Sequence, residues 1–463
     1  MAALLKFVKN TSWLAASKLG VTVVWVLLTP IFTLELSSSQ YGVVDLLKTT
    51  VAFAIPLVSC QVADAIQVYL LKNKFTKESI LTHSILIFLA GWLFSFIFYV
   101  PINKLLEGFA VPFYLLVFFQ GLSSLFYSYF KGIDNVRIAA IINLIEVFSF
   151  LLLSLFTLIG LDLNLEGLIL SLIVSKGITT VIYIFSIPLW NKINLFSFSL
   201  NQTRAILLFS VPLIPNMIGW WLNNMSDRYL IKTFVGVESN GIYGVAAIFP
   251  TLINIICTVL ISSWIITAMQ NDKKKDGRMF NIMSSLFSIS ITTIAMLMIL
   301  ALPLIFPIFV QSKDFLPAQN FVPILLISAV FSGVASLFGV TYLSQNDTFQ
   351  AAITTVASGA LNIVLNFILI PFMGIMGAVV STYLSFSLLA FLRYLYIRKT
   401  TSLIVSPIAL FVLIAYPALF FMEMYGFISN RLLILFSILF VLGMCLKASL
   451  IIKQNKIIRQ LIS

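Results

Sequence analysis

The sequence has few charged residues for its length and is poor in acidic groups. Of its 463 residues 10% are charged and 60% are hydrophobic, whereas soluble domains are about 25% charged. Its mean hydropathy is +1.08. A water-soluble core of this size would need more polar surface than the chain can provide. The composition therefore excludes a soluble globular protein.

Cysteine and histidine are also scarce. The three cysteines, Cys60, Cys257 and Cys445, are far apart in apolar segments, which predicts buried small side chains rather than a disulfide framework or a CxxC site. The one histidine, His83, cannot form a histidine-based metal site, and we expect it to be solvated at the membrane interface. The sequence predicts no metal and no cofactor.

Long apolar runs fill most of the chain. A membrane-spanning helix needs about 20 mostly apolar residues. Runs of this kind lie near 12–34, 42–69, 80–101, 110–130, 138–160, 166–189, 205–233, 241–269, 280–309, 319–343, 349–371, 374–397, 402–424 and 430–452. We therefore predict an all-α polytopic membrane protein with about fourteen transmembrane helices. Tight connections within 345–400 leave twelve or thirteen spans as the alternative.

Basic residues alternate from loop to loop along these runs. If the N-terminus is cytosolic, the outer loops contain only Lys104, Lys313 and Arg431. The cytosolic segments contain Lys6, Lys9, Lys72, Lys74, Lys77, Lys131, Arg137, Lys192, Arg204, Lys273, Lys274, Lys275, Arg278, Arg398, Lys399, Lys453, Lys456 and Arg459. This asymmetry follows the positive-inside rule and predicts cytosolic N- and C-termini. The net charge of +12 thus reflects topology, and no nucleic-acid partner is expected.

The chain contains a weak internal repeat. Three pairs of short segments match in chain order at offsets near 200 residues: 38–42 with 238–244, 129–134 with 342–347, and 167–171 with 377–381. They predict a six-helix lobe at 1–198, a second six-helix lobe at 199–400, and two additional helices with a cytosolic tail at 401–463. The two lobes would be parallel repeats in a pseudo-twofold relation, which usually enclose a substrate path.

Polar residues lie inside several apolar runs, where a charge costs about 2.5–3.5 kcal/mol on insertion scales. Lys18, Thr22 and Trp25 share one face of the first span at helical spacing. The seventh span has a stronger polar stripe, and other spans contain deep lysines. The candidate substrate-binding residues are therefore Lys18, Thr22, Trp25, Lys48, Lys176, Asn216, Trp220, Asn223, Asn224, Asp227, Arg228 and Lys232. Asp45 and Glu146 are candidate groups for coupling to an ion gradient.

Each of these residues also has a structural interpretation. Hydrogen bonding between helices would explain both stripes, and a local ion pair would explain Asp45 and Lys48. Asn362 and Asn366 are typical of helix-packing contacts. We expect Arg393, near a span end, to extend to the interface. If the stripes line a cavity, cations beside tryptophan rings favour an anionic, partly sugar-like substrate.

Several segments resemble a known family: Lys9–Trp13 with Lys18–Gly20, Ser210–Arg228 with Gly241–Gly244, and Gly374–Ala378. They are similar to the polysaccharide-transport branch, with its Wzx-type flippases, of the multidrug/oligosaccharidyl-lipid/polysaccharide exporter superfamily. The resemblance implies two lobes around a central cavity and alternating access. It implies transfer of an undecaprenyl-diphosphate-linked oligosaccharide across the bacterial inner membrane for O-antigen or capsule. Lys18 and the pair Asp227–Arg228 would lie in the cavity, and polymerase and chain-length proteins would be partners.

Two other functions remain open from the sequence. A multidrug or cation antiporter of the same superfamily would use acidic cavity groups, but the deep basic residues outnumber the deep acids here. A membrane polysaccharide polymerase would have a sizeable outer loop, whereas the loops here are short. The sequence shows no nucleophile–base pair or phosphate-binding glycine loop, so we expect a transporter rather than an enzyme.

Overall fold

The computed structural model describes residues 2–72, 74–186, 199–270, 277–344, 348–400, 407–424, 426–427 and 429–454. These residues form eighteen α-helices and no β-strand. The chain divides into two compact units, Met1–Trp221 with Ile231–Gly244, and Leu222–Leu230 with Val245–Ser463. The predicted lobe boundaries at 198/199 and 400/401 stay a prediction.

The first unit contains the helices up to α9 together with parts of two further helices. Its helices are α1 (Ala2–Glu35), α2 (Ser38–Val58), α3 (Val62–Leu71), α4 (Lys77–Ser95), α5 (Tyr99–Leu105), α6 (Ala110–Gly132), α7 (Val136–Leu155), α8 (Asn164–Ser186), α9 (Leu200–Ser210), both ends of α10 (Ile214–Phe234) and most of α11 (Val237–Ala246).

The second unit contains the remaining helices and the middle of α10. They are α12 (Ile248–Gln270), α13 (Gly277–Phe309), α14 (Val322–Ser344), α15 (Thr348–Met373), α16 (Ile375–Thr400), α17 (Pro407–Met424) and α18 (Asn430–Gln454). α14 is central in this unit, because most of its described residues are buried. It packs against α12, α13 and α16.

The fourteen predicted apolar runs each coincide with one helix or with two consecutive helices, so the all-α polytopic fold is confirmed. Within the described residues, twelve helical segments are long and apolar enough to cross a membrane. α1 and α17 provide shorter apolar segments at Leu19–Glu35 and Leu413–Met424. In the part of the chain that the structure describes, each of the fourteen runs thus contains helix, and twelve of these helical segments are long enough to span a membrane.

Four of the predicted spans are divided between consecutive helices. The runs at 80–101 and 241–269 contain α4 with α5 and α11 with α12, and two further runs are divided as follows. The run at 42–69 is divided between α2 and α3, because Cys60 and Gln61 have left-handed backbone angles, with φ of 48° and 56°. The run at 205–233 is divided by a turn of 3-10 helix at Val211–Leu213. Pro212 and Pro215, which lie at and after this turn, cannot donate backbone hydrogen bonds to a continuous helix.

The first turns of α2 and α11 are in direct backbone contact. A Cβ atom on Gly42 would collide with the carbonyl oxygen of Val237, and one on Gly241 would collide with that of Ser38. Asn240 Nδ2 donates to the Gly42 carbonyl at 3.0 Å. Two segments that the repeat paired by sequence therefore pack against each other in a reciprocal manner, with glycine permitting the close approach.

His83 is buried, so the expectation of a solvated histidine is wrong. Its side chain has 0% exposure. Nδ1 is 2.7 Å from the Ser79 carbonyl, and Nε2 accepts from the Ser199 backbone N–H at 3.0 Å. The imidazole thus joins α4 to the start of α9. Of the cysteines, Cys257 is buried as predicted, whereas Cys445 is exposed.

Candidate functional site

In the first unit, Lys48 and Trp25 form a cation–aromatic pair in the middle of their helices. The Lys48 ammonium lies 3.3 Å from the centroid of the Trp25 ring. Trp25 in turn stacks on Phe150 of α7, with ring centroids 5.0 Å apart. An ammonium over an aromatic face is stabilised by the ring quadrupole, most strongly by tryptophan. The structure thus joins two of the predicted binding residues and adds Phe150, which the sequence analysis did not select.

The surroundings of this pair include two more of the predicted residues. Thr22, one turn before Trp25 on α1, is half-buried. Asp45, one turn before Lys48 on α2, is also half-buried, and its carboxyl group lies against Gly244 of α11. Lys18 belongs to α1, but its side chain lies outside the described residues.

Glu146 and Lys176 form an ion pair between α7 and α8. The Lys176 ammonium is 2.5 Å from Glu146 Oε1, with side-chain exposures of 20% and 13%. Both residues lie near the middle of their helices, where an unpaired charge in hydrocarbon is costly. The sequence analysis had assigned Lys176 to substrate and Glu146 to coupling separately, and the structure shows the two groups in contact.

Lys232 contacts the segment that follows α5. Its ammonium lies 2.9 Å from Glu107 Oε1 and donates to the Leu105 carbonyl at 2.5 Å. Glu107 is exposed and has a left-handed φ of 54°. These contacts favour a structural role for Lys232, which connects the end of α10 to the loop between α5 and α6.

The residues of the polar stripe on α10 are divided between the two units. Asn216 and Trp220 are half-buried and belong to the first unit, whereas the stretch from Leu222 to Leu230 belongs to the second. The neighbouring Trp221, which the stripe did not include, donates through Nε1 to the Thr49 carbonyl of α2 at 3.2 Å. Its ring also packs against Phe53, with centroids 4.4 Å apart.

In the second unit, Asp227 is the centre of a buried polar network. It has 0% exposure and accepts from Asn366 Nδ2 of α15 at 2.6 Å and from Thr382 Oγ1 of α16 at 2.7 Å. One helical turn away, Asn362 Oδ1 is 2.9 Å from Ser226 Oγ. The predicted helix-packing role of Asn362 and Asn366 is therefore confirmed.

Asn223 extends this network by one turn. Its Nδ2 donates to the Thr355 carbonyl at 3.2 Å, and its Oδ1 accepts from Ser358 Oγ at 2.7 Å. Ser358 also donates to the Ser385 carbonyl of α16. Asn223 and Asp227, four residues apart on α10, thus engage α15 and α16. For these two residues of the stripe, the structural interpretation therefore holds: they form hydrogen bonds between helices.

Arg228 and Asn224 share a local contact. Arg228 Nη1 donates to the Asn224 backbone carbonyl at 2.8 Å, and Arg228 is buried while Asn224 is half-buried. Asp227 and Arg228 point in different directions, as adjacent residues on a helix must. The carboxylate faces α15 and α16, whereas the guanidinium reaches back one turn along α10.

Arg393 is buried on α16, so the expectation that it extends to the interface is wrong. It has 3% exposure. Its guanidinium donates to the Ala335 carbonyl at 2.6 Å and to Thr355 Oγ1 at 3.0 Å. Three helices, α14, α15 and α16, therefore meet at one cation. In the sequence, the hydroxyl residues of α15 were the only signal that could have suggested a buried position for Arg393.

Comparison with known proteins places these residues in a family. The family model for "Polysaccharide biosynthesis protein" matches residues 7–270, more than half of the chain. The chain belongs to this polysaccharide biosynthesis protein family. The match includes the cation–aromatic pair, the Glu146–Lys176 ion pair and the whole of α10. The resemblance to the polysaccharide-transport branch of the exporter superfamily is thereby confirmed.

One curated relative of this family member is the probable low-salt glycan biosynthesis flippase Agl15 of Haloferax volcanii. It is 27% identical over 390 residues, which cover 80% of this chain and 79% of the relative. The similarity thus extends beyond the part of the chain that the family model matches.

Solved structures share the fold at low sequence identity. The lipid II flippase MurJ in an inward closed conformation has a TM-score of 0.70 and 16% identity, over 97% of this chain and 99% of that one. An inward-facing MATE-family multidrug resistance transporter has a TM-score of 0.65 and 14% identity, over 84% and 98%. The polysaccharide biosynthesis protein therefore has a MurJ- and MATE-like polytopic fold.

The described residues of this family member form two groups that differ in their chemistry. In the first unit, the ammonium groups of Lys48 and Lys176 lie on apolar helices, and an ammonium suits an anionic group such as a phosphate. The second unit gathers a carboxylate, amides and hydroxyls around Asp227, and such oxygen ligands suit hard cations. Within the described residues, no three His, Cys, Asp or Glu side chains are grouped to hold a metal ion.

Proposed function

We propose that this protein is a flippase for a lipid-linked oligosaccharide, with the substrate's diphosphate group bound by the cationic residues of its mid-membrane helices. The observation that carries the proposal is the Lys48 ammonium, half-buried in the middle of α2 and held 3.3 Å from the centroid of the Trp25 ring. Ionisable residues inside membrane-spanning segments are rare and often mark a path for a substrate or an ion.

The family and the relative support this function. The chain belongs to a polysaccharide biosynthesis family, and its relative is described as a glycan biosynthesis flippase. A glycan attached to a lipid combines sugar, phosphate and hydrocarbon. The headgroup would cross beside the cations while the lipid tail remains in the bilayer, by alternating access of the protein to the two leaflets.

The finer features of the proposal concern the substrate and its pathway. The substrate would be an undecaprenyl-diphosphate-linked repeat unit that moves from the cytosolic to the outer leaflet of a bacterial inner membrane. The product would serve O-antigen or capsule synthesis, with a polymerase and a chain-length protein as partners. Both termini of the flippase would be cytosolic, and it would act as a transporter rather than as an enzyme.

We propose that carboxylates within the apolar helices couple transport to an ion gradient. Glu146 is held by Lys176, so a substrate phosphate that attracts Lys176 would leave Glu146 available to a proton. Asp227, with its amide and hydroxyl neighbours, is a second candidate that would suit a sodium ion. Asp45 remains a third. Imposing either a proton or a sodium gradient on reconstituted vesicles would distinguish these groups.

The function is tested by leaflet-specific labelling of lipid-linked oligosaccharides after deletion of the gene in its host. We expect the substrate to accumulate in the cytosolic leaflet and surface polysaccharide to be lost. The wild-type gene and Lys48→Arg should restore flipping, whereas Lys48→Gln should not. Lys104→Gln, at an exposed lysine of α5, is the matched control and should restore it fully.

Two results would overturn the proposal. Normal amounts of substrate in both leaflets after deletion would exclude an essential flippase. Accumulation of unpolymerised units in the outer leaflet would assign the protein to polymerisation instead.

A multidrug antiporter is the second candidate function, because the fold is shared with MATE transporters and Asp227 is a buried acid. It would be favoured by increased drug susceptibility in the deletion strain together with normal surface polysaccharide.

A further inference from the structure

Two of the predicted spans contain more helix than a membrane crossing needs. α2 and α10 have 21 residues each, or about 31 Å at a rise of 1.5 Å per residue, which matches a hydrocarbon core of about 30 Å. α3 adds 10 residues after α2, and α9 adds 11 residues before α10. α3 and α9 therefore extend the ends of their spans, and both ends are cytosolic in the topology that the basic residues predict.

Within the first unit, α3 and α9 pack against each other. Tyr69 Oη of α3 donates to the Ala205 carbonyl of α9 at 3.0 Å, and the Tyr69 ring centroid lies 5.3 Å from that of Phe209. His83 of α4 accepts from the backbone N–H of Ser199, directly before α9. These contacts fix the inward face of α9 and thereby determine the face that it exposes.

The exposed face of α9 combines leucine with arginine. Leu200, Arg204 and Leu208 are spaced four residues apart, so they lie on one face of the helix. Leu200 has 74% exposure and Leu208 has 67%, and Arg204 is also exposed. This combination is typical of a helix in the membrane interface, where leucine contacts acyl chains and a long cationic side chain reaches the headgroups.

Three lysines lie where α3 ends and α4 begins. Lys72, Lys74 and Lys77 are exposed. The Lys74 ammonium is 4.9 Å from the centroid of the Tyr69 ring, the same ring that contacts α9. Leu71, beside these lysines, has 57% exposure. As on α9, exposed cations and exposed leucine occur together.

The charge of this region favours an anionic partner. α3, α9 and the connection from α3 to the start of α4 contain four basic and two acidic residues. Asp64 accepts from Gln61 Nε2 at 2.9 Å, and Glu78 is half-buried. Within the described residues, none of the four cations forms an ion pair with a carboxylate. A soluble acidic protein would complement the cations, but only a lipid surface also complements the exposed leucines.

We propose that α3, α9 and the start of α4 form a binding surface, the α3–α9 surface, for anionic phospholipid headgroups of the cytosolic leaflet. Its four cations bind headgroup phosphates, and its three exposed leucines contact acyl chains. The α3–α9 surface contains none of the residues assigned to the transported substrate. It therefore does not depend on the proposed flippase function.

Binding of short-chain phospholipids to the purified full-length protein in detergent tests the proposal. Thermophoresis measures the affinity for phosphatidylglycerol and for phosphatidylcholine with the same acyl chains. We expect the wild type to bind phosphatidylglycerol more tightly and to lose this preference as salt is added. Lys72→Gln, Lys77→Gln and Arg204→Gln together should weaken phosphatidylglycerol binding about fivefold per charge removed, or on the order of a hundredfold. Phosphatidylcholine binding should not change.

A matched triple variant separates the α3–α9 surface from the net charge of the protein. Lys104→Gln, Lys313→Gln and Arg431→Gln together remove three exposed basic residues elsewhere, and both affinities should remain at the wild-type values. Leu200→Ser with Leu208→Ser should weaken the binding of both phospholipids. Inorganic phosphate should not displace phosphatidylglycerol, because it lacks acyl chains. Thermal unfolding of each variant confirms that it is folded.

Three results would overturn the proposal. The first is equal affinity of the wild type for the two phospholipids, or an equal loss in both triple variants. The second is displacement of phosphatidylglycerol by polyglutamate, which would identify an acidic protein as the partner. The third is normal phosphatidylglycerol binding but lost binding of a polyprenyl diphosphate in the α3–α9 triple variant, which would assign the surface to substrate capture. Leaflet-specific labelling tests the flippase function separately, so either proposal can fail while the other stands.

Discussion

At the scale of single residues, Lys176, Lys48 and Arg393 show three different ways in which the described helices stabilise a buried or half-buried cation. Lys176 is paired with a carboxylate, Lys48 lies over an indole, and Arg393 donates to a carbonyl and to hydroxyl groups. The chemistry of the stabilising contact therefore differs from one cation to the next.

Arg393 is predicted to contribute to stability rather than to substrate binding. Arg393→Ala would leave the Ala335 carbonyl and the Thr355 hydroxyl without this donor and would open space between three helices. We expect the free energy of unfolding to fall by about 2 kcal/mol or more, since each unsatisfied buried group costs about 1–3 kcal/mol. Arg393→Lys should also destabilise, because one ammonium lacks the planar fork that reaches both acceptors.

Thermal unfolding in detergent measures this effect. Arg431→Ala, which removes an exposed arginine at the start of α18, is the matched control and should unfold with the wild type. An Arg393→Ala protein that keeps the wild-type melting temperature would show that the two acceptors find other donors.

At the scale of elements, glycine determines how closely α2 and α11 approach. A Cβ on Gly42 or Gly241 would collide with backbone atoms of the other helix, and backbone cannot move aside as a side chain can. The repeat also recurs in a side-chain contact, because Ser171 donates to the Gly167 carbonyl and Ser381 to the Gly377 carbonyl, both at 2.8 Å.

Gly42→Ala is therefore predicted to separate the two helices and to reduce both stability and transport. Replacing a helical glycine that lacks such a contact should instead increase stability, because alanine is favoured over glycine in helices by about 0.5–1 kcal/mol. Gly177→Ala is the matched control, since its Cβ would meet Phe119 only at 3.8 Å or more. Melting temperature and flipping rate should fall for Gly42→Ala and remain unchanged or rise for Gly177→Ala. Equal behaviour of the two variants would contradict the close-contact argument.

At the scale of the whole molecule, the distribution of basic residues predicts the orientation in the membrane. The excess of lysine and arginine in alternate loops predicts that the segment around Lys274 is cytosolic and that the one around Lys104 is outside. Local packing cannot supply this information, because the membrane and its charged surfaces are external to the chain.

Cysteine labelling measures this orientation. In a protein whose three native cysteines are replaced, Lys104→Cys should react with an impermeant maleimide added to intact cells. Lys274→Cys should react only after the membrane is opened. The reverse pattern would invert the proposed topology and the direction of transport inferred from it.

The sequence by itself determined the membrane class, the positions of the fourteen apolar runs, the family and most of the deep polar residues. These follow from hydrophobicity and composition along the chain, which do not depend on tertiary contacts. Pro212 and Pro215 mark the bend between α9 and α10, but the sequence did not reveal that α2 and α3 are separate helices. A left-handed turn at Cys60 and Gln61 has no glycine to mark it.

Only the tertiary structure decided what each polar residue contacts. The sequence predicted interfacial positions for His83 and Arg393 because both are near span ends. Helices distant in the chain nevertheless bury both side chains. Glu146 and Lys176 lie 30 residues apart and meet because α7 and α8 pack side by side. The same holds for Lys48, Trp25 and Phe150, which three different helices bring together. Helical periodicity identifies the face on which a side chain lies, but the packing of other helices determines what that face meets.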